Sequence, residues 1–366
     1  MKTHPDGFVR YRALMLMPKR SFSHSRKAIQ LRLLLFVVTI FGVWQCSVAQ
    51  NTPLLSGGLG FFTNTNDGAT SYLPIAEPLL AAPIGNRFLI ESRATLLESF
   101  NPKGGGQDGY NHSHFVALTY LQGDYILTPH VTVVGGSFLT PFGTYNERLT
   151  PLWIANFQDG PLISGLGIMQ TGTSLGGQLR GSAISHEKFS IDYAAYFSAR
   201  SGNEQFNSAR SSGGRVSLYL PKQRLEVGTS YGRLLQGTQE NFYGIHVWWE
   251  PKDTGFRLRS EWARGAHGSG YWAEADWRMM QFGGYNSWIG RIEPLFRMQQ
   301  TFTDGHGGDP VPSVNTQRAD FGLDYNLPHN TRILTSYARQ FSSTKDVNIW
   351  ETGITYRFLF PAWKGK

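Results

Sequence analysis

The fold class this sequence predicts is all-β: an antiparallel transmembrane β-barrel of about fourteen strands, with twelve or sixteen as alternatives. Three observations predict it. A secretory leader opens the chain, period-2 alternation runs from Arg87 to Phe360, and the links between the alternating segments fall into a short set and a long set. Short periplasmic turns and long extracellular loops are what barrels of this kind show.

The leader comes first. Residues 1–49 hold eight of the 34 Lys/Arg (Lys2, Arg10, Arg12, Lys19, Arg20, Arg26, Lys27, Arg32) and one acid, Asp6. An apolar run, Leu33 to Trp44, precedes the small residues Ser47-Val48-Ala49. That order of basic, apolar and small segments is a signal peptide cut after Ala49. The apolar run is too short for a bilayer span of ~20 residues. Met15 and Met17 are alternative starts.

Removing the leader leaves 26 basic and 25 acidic residues, a net charge of +1. The basic excess therefore belongs to the leader and does not point to a nucleic-acid partner. The one cysteine, Cys46, also lies in the leader, so the mature chain has no disulfide and no thiolate metal site.

Residues 50–86 read as a periplasmic segment, a plug or two further strands. Beyond them, strands are expected near 87–99, 114–127, 130–142, 172–184, 189–200, 213–220, 223–234, 241–250, 255–264, 270–280, 288–300, 316–326, 331–341 and 347–360. Proline marks the short links: Thr128-Pro129-His130, Pro221-Lys222, Pro251-Lys252-Asp253 and Leu327-Pro328-His329-Asn330. Gly-rich or polar stretches form the long ones, at 100–113, 143–171, 201–212 and 301–315. An upward first strand puts every proline turn in the periplasm and every long loop outside. Within the strands, Phe256, Leu258, Ser260 and Trp262 oppose Arg257, Arg259, Glu261 and Ala263, and Ala319, Phe321, Leu323 and Tyr325 oppose Arg318, Asp320, Gly322 and Asp324. One face suits lipid and the other suits water. A soluble β-sandwich would also alternate, but neither the leader nor the two classes of link follows from it. The last strand ends in Tyr356-Arg357-Phe358-Leu359-Phe360 and looks like the C-terminal assembly signal of outer-membrane proteins; residues 361–366 form a tail.

The inward face supplies the candidate site. All its basic residues are arginines, whereas the mature lysines (Lys103, Lys188, Lys222, Lys252, Lys345, Lys364, Lys366) fall in links or at the C-terminus. Arginine's planar fork pairs bidentately with carboxylates; lysine is a solvated point charge. The pore-lining set is Arg215, Arg224, Arg257, Arg259, Arg278, Arg291 and Arg297 with the acids Glu261, Glu274, Asp276 and Glu293. Arg257/Arg259 and Arg291/Arg297 are the expected basic wall, and the neighbouring acids make any anion preference weak. These ladders either pair across strands and fill a narrow interior, or stay partly free and set ion preference. The 143–171 loop is expected to fold inward as a constriction through Asn146, Glu147 and Arg148.

The strand entering that loop carries Gly136-Ser137-Phe138-Leu139-Thr140-Pro141-Phe142-Gly143. This stretch resembles the phosphate-selective porin O and P group and related bacterial porins. The spaced strands extend the likeness loosely over residues 87–360. The resemblance implies an outer-membrane channel for passive diffusion of small polar or ionic solutes. Phosphate selectivity is not carried over, because that group's clustered loop arginines and lysines are represented here by Arg148 alone. A homotrimer is compatible with such a barrel, though no segment marks a subunit interface.

Two other function classes are weighed beside this one. A closed structural or adhesion barrel would have its bore filled by Arg–acid pairs. A barrel hydrolase would use Tyr110-Asn111-His112-Ser113-His114, but the expected Ser-Asn-Gly continuation is missing and Phe115-Val116 follows. His112 and His114 lack a third metal ligand, and His306 sits in a Gly/Asp-rich loop. No catalytic residue, metal or cofactor is therefore assigned. The expected partners are outer-membrane lipid and small solutes or ions.

Overall fold

The computed structural model describes residues 52–103, 108–165, 172–203, 206–237, 239–303 and 314–361. The expected leader with Met15, Met17 and Cys46, the loop around His306 and the tail beyond residue 361 lie outside the described residues.

Sixteen strands are present: β1 (Leu54–Asn66), β2 (Ala69–Ile84), β3 (Phe88–Pro102), β4 (Tyr110–Thr128), β5 (Val131–Leu139), β6 (Thr173–His186), β7 (Phe189–Ala199), β8 (Ser211–Leu220), β9 (Leu225–Leu234), β10 (Asn241–Trp249), β11 (Phe256–Arg264), β12 (Gly268–Trp277), β13 (Ile292–Thr303), β14 (Thr316–Leu327), β15 (Thr331–Ser342) and β16 (Val347–Pro361). Each pairs antiparallel with its chain neighbours, and β1 pairs with β16 from Leu54↔Pro361 to Asn66↔Ile349. The sheet is closed, so no edge is left to present unpaired amides to hydrocarbon.

The main expectation of fourteen strands is corrected to sixteen, one of its two alternatives. The two added strands, β1 and β2, come from residues 50–86, for which a periplasmic segment, a plug or two further strands were weighed. Its alternation is weak because β1 is built on Gly57, Gly58 and Gly60, and β2 contains Pro74, Pro78 and Pro83. Proline has no N–H for a ladder and ordinarily argues against an interior strand. Here the β2–β3 register omits Leu73, Pro74, Glu77 and Pro78, while the β1–β2 register is unbroken from Leu54↔Ala81 to Asn66↔Ala69. Pro83 lies beyond the part of β2 that β1 covers.

The barrel has a turn end and a loop end. Both ends of the sheet's chain path lie at the turn end, with the links 85–87, 129–130, 187–188, 221–224, 250–255, 278–291 and 328–330. Several of these contain a proline followed by a residue in the left-handed region, at Arg224 (φ 49°), Asp253 (φ 62°) and Asn330 (φ 57°). One link departs from the expected pattern. Strands expected at 270–280 and 288–300 stop at Trp277 and start at Ile292, leaving a 278–291 linker at the turn end with two 3-10 turns. Gly283 and Gly284 interrupt the pattern, and Gly290 packs so close that a Cβ would lie 2.0 Å from the Gly284 carbonyl.

Outward positions are exposed and apolar, among them Val216, Ile245, Phe321, Trp350 and Ile354. Inward positions on β9–β16 are polar or charged and buried, as Arg259, Asp276, Asp320 and Asp324 show. A soluble sandwich would show the reverse exposure.

Candidate functional site

The loop joining β5 to β6 folds into the bore. The strand expected to reach residue 142 ends at Leu139, because Pro141 cannot continue a ladder. Phe142 then turns inward and Gly143 takes φ +61°. A Cβ on Gly143 would lie 1.9 Å from a Glu261 carboxylate oxygen, so glycine is needed both for the turn and for the close approach. Phe138 and Phe142 pack with Val134, Leu149, Ile163, Tyr196, Phe242, Ala263 and Trp272 in an apolar cluster inside the barrel. The Gly136–Gly143 stretch thus anchors the neck of an inward loop. Asn146, also buried, donates from Nδ2 to the carbonyls of Thr140 (3.1 Å) and Gly172 (3.0 Å), tying the two ends of that neck together.

Glu261 accepts the backbone amides of Thr144 (3.0 Å) and Tyr145 (3.3 Å), and Ser230 Oγ accepts that of Gly143 (3.0 Å). Residues Tyr145–Leu149 form one π-turn that crosses the bore. Its two charged residues are clamped in opposite senses: Glu147 pairs with Arg215 at 2.6 Å, and Arg148 binds Glu226 through both nitrogens at 2.7 and 3.1 Å. Arg215 also donates to the Gly143 carbonyl at 2.5 Å. Arg148 and Arg259 both lie over the Trp248 ring, 5.6 and 5.5 Å from its centroid.

Past the π-turn the loop reaches the opposite wall. Arg93 donates to Thr150 Oγ1 (3.0 Å), Glu77 accepts the Leu152 amide (2.9 Å), and Leu152 and Trp153 cover Gly58, where a Cβ would lie 2.8 Å from either side chain. Returning across the bore, Asn156 donates to Glu274 and Asp276, both at 3.0 Å. Asp159 pairs with Arg318 (2.9 Å), its carbonyl accepts from Arg297 (3.0 Å), and Gln299 accepts the Leu162 amide (2.7 Å). The loop is therefore fixed to β1–β3 and to β8–β14.

Of the sequence-predicted pore-lining residues, Arg215 and Glu261 are tied to the inward loop. Arg257, Arg259, Glu274, Asp276, Glu293 and Arg297 face inward but are drawn into one bonded network. Arg259 meets Glu274 (2.6 Å) and Asp276 (2.7 Å), Arg257 meets Asp276 (2.5 Å) and Glu293, and Arg297 meets Asp320 (3.3 Å) and stacks on Phe157. Arg224, Arg278 and Arg291 are not on strands. They stand in turn-end links and line a cavity of about 860 Å³ beneath Trp153 and Ile154, together with Arg257, Arg332 and Arg357. Arg278 lies 3.9 Å from the Tyr285 ring centroid. The acids in that lining are Glu250, Asp253 and Glu293. The expected wall of Arg257, Arg259, Arg291 and Arg297 is thus not a single surface, since Arg259 and Arg297 are buried in ion pairs.

A second cavity, of about 420 Å³, lies between Glu147 and Arg148 and the β5–β7 wall at Thr132, Gln178, Arg180 and Ala194, with the Arg215–Glu147 pair in its lining. Beside it Arg180 pairs with Asp124, whose neighbour Gln122 donates to it at 3.0 Å. Asp124, Asp159 and Asn156 are absent from the predicted site set. Three of the pairs share an asymmetry. The exposures are 36% for Arg148 against 13% for Glu226, 38% for Arg180 against 6% for Asp124, and 34% for Arg257 against 0% for Asp276. In these three the guanidinium reaches the water and the carboxylate is recessed, whereas Asp159 (38%) is more exposed than Arg318 (5%) and Glu147 (18%) more than Arg215 (12%).

The His112–Ser113 pairing weighed for a hydrolase does not assemble. The two are adjacent in β4, so their side chains leave opposite faces of the sheet. His112 contacts Glu98 (2.5 Å) and stacks on Phe100.

A closed sixteen-strand antiparallel sheet with one loop bonded across its bore decides the architecture. The chain has the porin fold. Among solved structures it is similar to an anion-selective porin from Comamonas acidovorans, with 13% identity and a TM-score of 0.54 over 84% of this chain and 100% of that one. It is also similar to OmpF of Salmonella typhi in complex with daunomycin, with 12% identity and a TM-score of 0.57 over 84% and 98%. A third similar structure is a loop-deleted OmpT, an outer membrane protein of Vibrio cholerae, with 9% identity and a TM-score of 0.51 over 85% and 100%. No protein-family model and no curated protein matches the sequence.

Proposed function

We propose that this chain is a bacterial outer-membrane porin, a non-enzymatic channel for passive diffusion of small polar and ionic solutes, and that it favours anions. The turn end faces the periplasm and the loop end faces outside. Solutes pass between the π-turn of the inward loop and the β5–β7 wall, then through the arginine-lined space at the turn end. The observation that carries the anion preference is the asymmetry of the Arg148, Arg180 and Arg257 pairs, because exposed guanidinium groups backed by recessed acids present positive potential to the lumen. The likeness to a porin whose title calls it anion-selective points the same way. The Gly136–Gly143 stretch favours the phosphate-selective O and P group as kin, on the strength of its anchoring role rather than any phosphate site.

Reconstitution into planar bilayers tests this reading. Discrete conductance steps are expected, and a potassium chloride gradient should drive the reversal potential towards the chloride equilibrium value. The network that fills the β8–β16 side of the bore is the specific feature favouring a closed anchoring barrel instead. A folded, inserted but silent protein would establish that second reading, and a reversal potential near the potassium value would end the anion preference.

A further inference from the structure

The outward wall carries a pattern that conduction does not use. Among the described residues, the arginines on outward faces of strands are Arg233, Arg264 and Arg339, and all three stand at the loop end, on β9, β11 and β15. Arg339 is satisfied by Asp346 (3.2 Å), Asn348 (2.8 Å) and the Phe341 ring. Arg233 and Arg264 are exposed, and among the described residues neither has a carboxylate at ion-pair distance. They flank β10, Arg233 opposite Asn241 and Arg264 opposite Tyr243. Standard sheet spacings put their Cα atoms about 12 Å apart, within joint reach of one doubly charged head group.

Below Arg264 a shallow outward groove of about 760 Å³ runs over Thr229, Tyr243, Ile245 and Trp262. Its one acid, Glu240, is directed to His267 at 3.6 Å. Tyr231 donates its hydroxyl to Asn241 (2.8 Å) and packs against Tyr243, leaving a polar, aromatic collar between the two arginines. An apolar channel capped by free guanidinium groups at a membrane interface matches a molecule with an acyl chain and an anionic head. Arginine's fork matches phosphate oxygens in particular.

We propose that Arg233 and Arg264 bind the phosphate groups of a phosphorylated, acylated lipid of the facing leaflet, with one acyl chain seated over Ile245 and Trp262. The site lies on the outside of the barrel and is separate from the passage.

Native mass spectrometry of the full barrel in a neutral detergent tests this, with bis-phosphorylated lipid A as the probe and its dephosphorylated form as the control. A retained adduct is expected with the phosphorylated probe only. The double variant Arg233→Gln/Arg264→Gln should weaken it about tenfold or more, as loss of charge-assisted bonds to phosphate implies. Arg339→Gln should leave it unchanged. Heat-dependent gel mobility and channel conductance should stay at the parent values in all variants, so a negative result separates from any failure of the channel reading. Equal retention of the dephosphorylated lipid, or an undiminished adduct in the double variant, would overturn the proposal.

Discussion

At the scale of the residue, Gly143 and Arg148 carry the sharpest expectations. Gly143→Ala places a Cβ 2.2 Å from the Glu261 carboxyl carbon in a left-handed backbone. Strain of that kind costs about 1–3 kcal/mol, so the variant should melt earlier in a thermal gel-shift assay and show larger conductance steps as the loop neck loosens. Arg148→Ala removes the fork from Glu226 and leaves that carboxylate facing the cavity, so its reversal potential should move towards the cation value. Arg180→Gln exposes Asp124 and should move it the same way. Arg148 was legible in the sequence as the charged residue of an inward loop. Asp124 was not, because a bulge beside Arg93 changes which residues of β4 face inward. Ala117 lies opposite the inward Thr95, whereas Tyr120 lies opposite the inward Arg93, and no single alternation covers both.

At the scale of the element, the inward loop and β2 differ in how their ties are arranged. Replacing residues 145–163 with a short flexible linker should raise conductance severalfold while the barrel stays closed, since no strand ladder depends on them. Burial alone would raise the Asp159 carboxyl, but Arg318 and Arg297 hold it below its ordinary 3.8. A carboxyl depressed in the folded state contributes above its ordinary value and stops contributing as pH falls through the folded one. The Asp159–Arg318 tie is therefore expected to hold at neutral pH and to release in strong acid. Conductance noise recorded across that range should show the change, and Asp159→Asn should remove it. In β2, the gaps at Pro74 and Pro78 predict faster amide exchange around Leu73–Glu77 than in the continuous β13–β14 ladder, measurable by hydrogen–deuterium exchange. The same gaps explain the strand count. Fourteen strands were legible from alternation, whereas glycine in β1 and proline in β2 conceal the two that close the seam.

At the scale of the whole molecule, counting charges and placing them give different answers. The net charge of +1 that remains once the expected leader is removed suggests little ion preference, yet Arg148, Arg180 and Arg257 project further into water than their partners and would bias the field in the lumen. That bias is open to screening: the Debye length falls from about 10 Å at 0.1 M salt to about 3 Å at 1 M, so the anion-to-cation permeability ratio should decline over that range. The loop that crosses the bore has a mechanical consequence as well. A hollow cylinder in a bilayer is squeezed from the side, and its cheapest deformation is to flatten into an ellipse. A cross-member fastened to Arg93 and Glu77 on one wall and to Glu261, Arg297 and Arg318 on the other resists that flattening along its own diameter. The aperture should then keep its size when the thickness or lateral pressure of the surrounding lipid is altered.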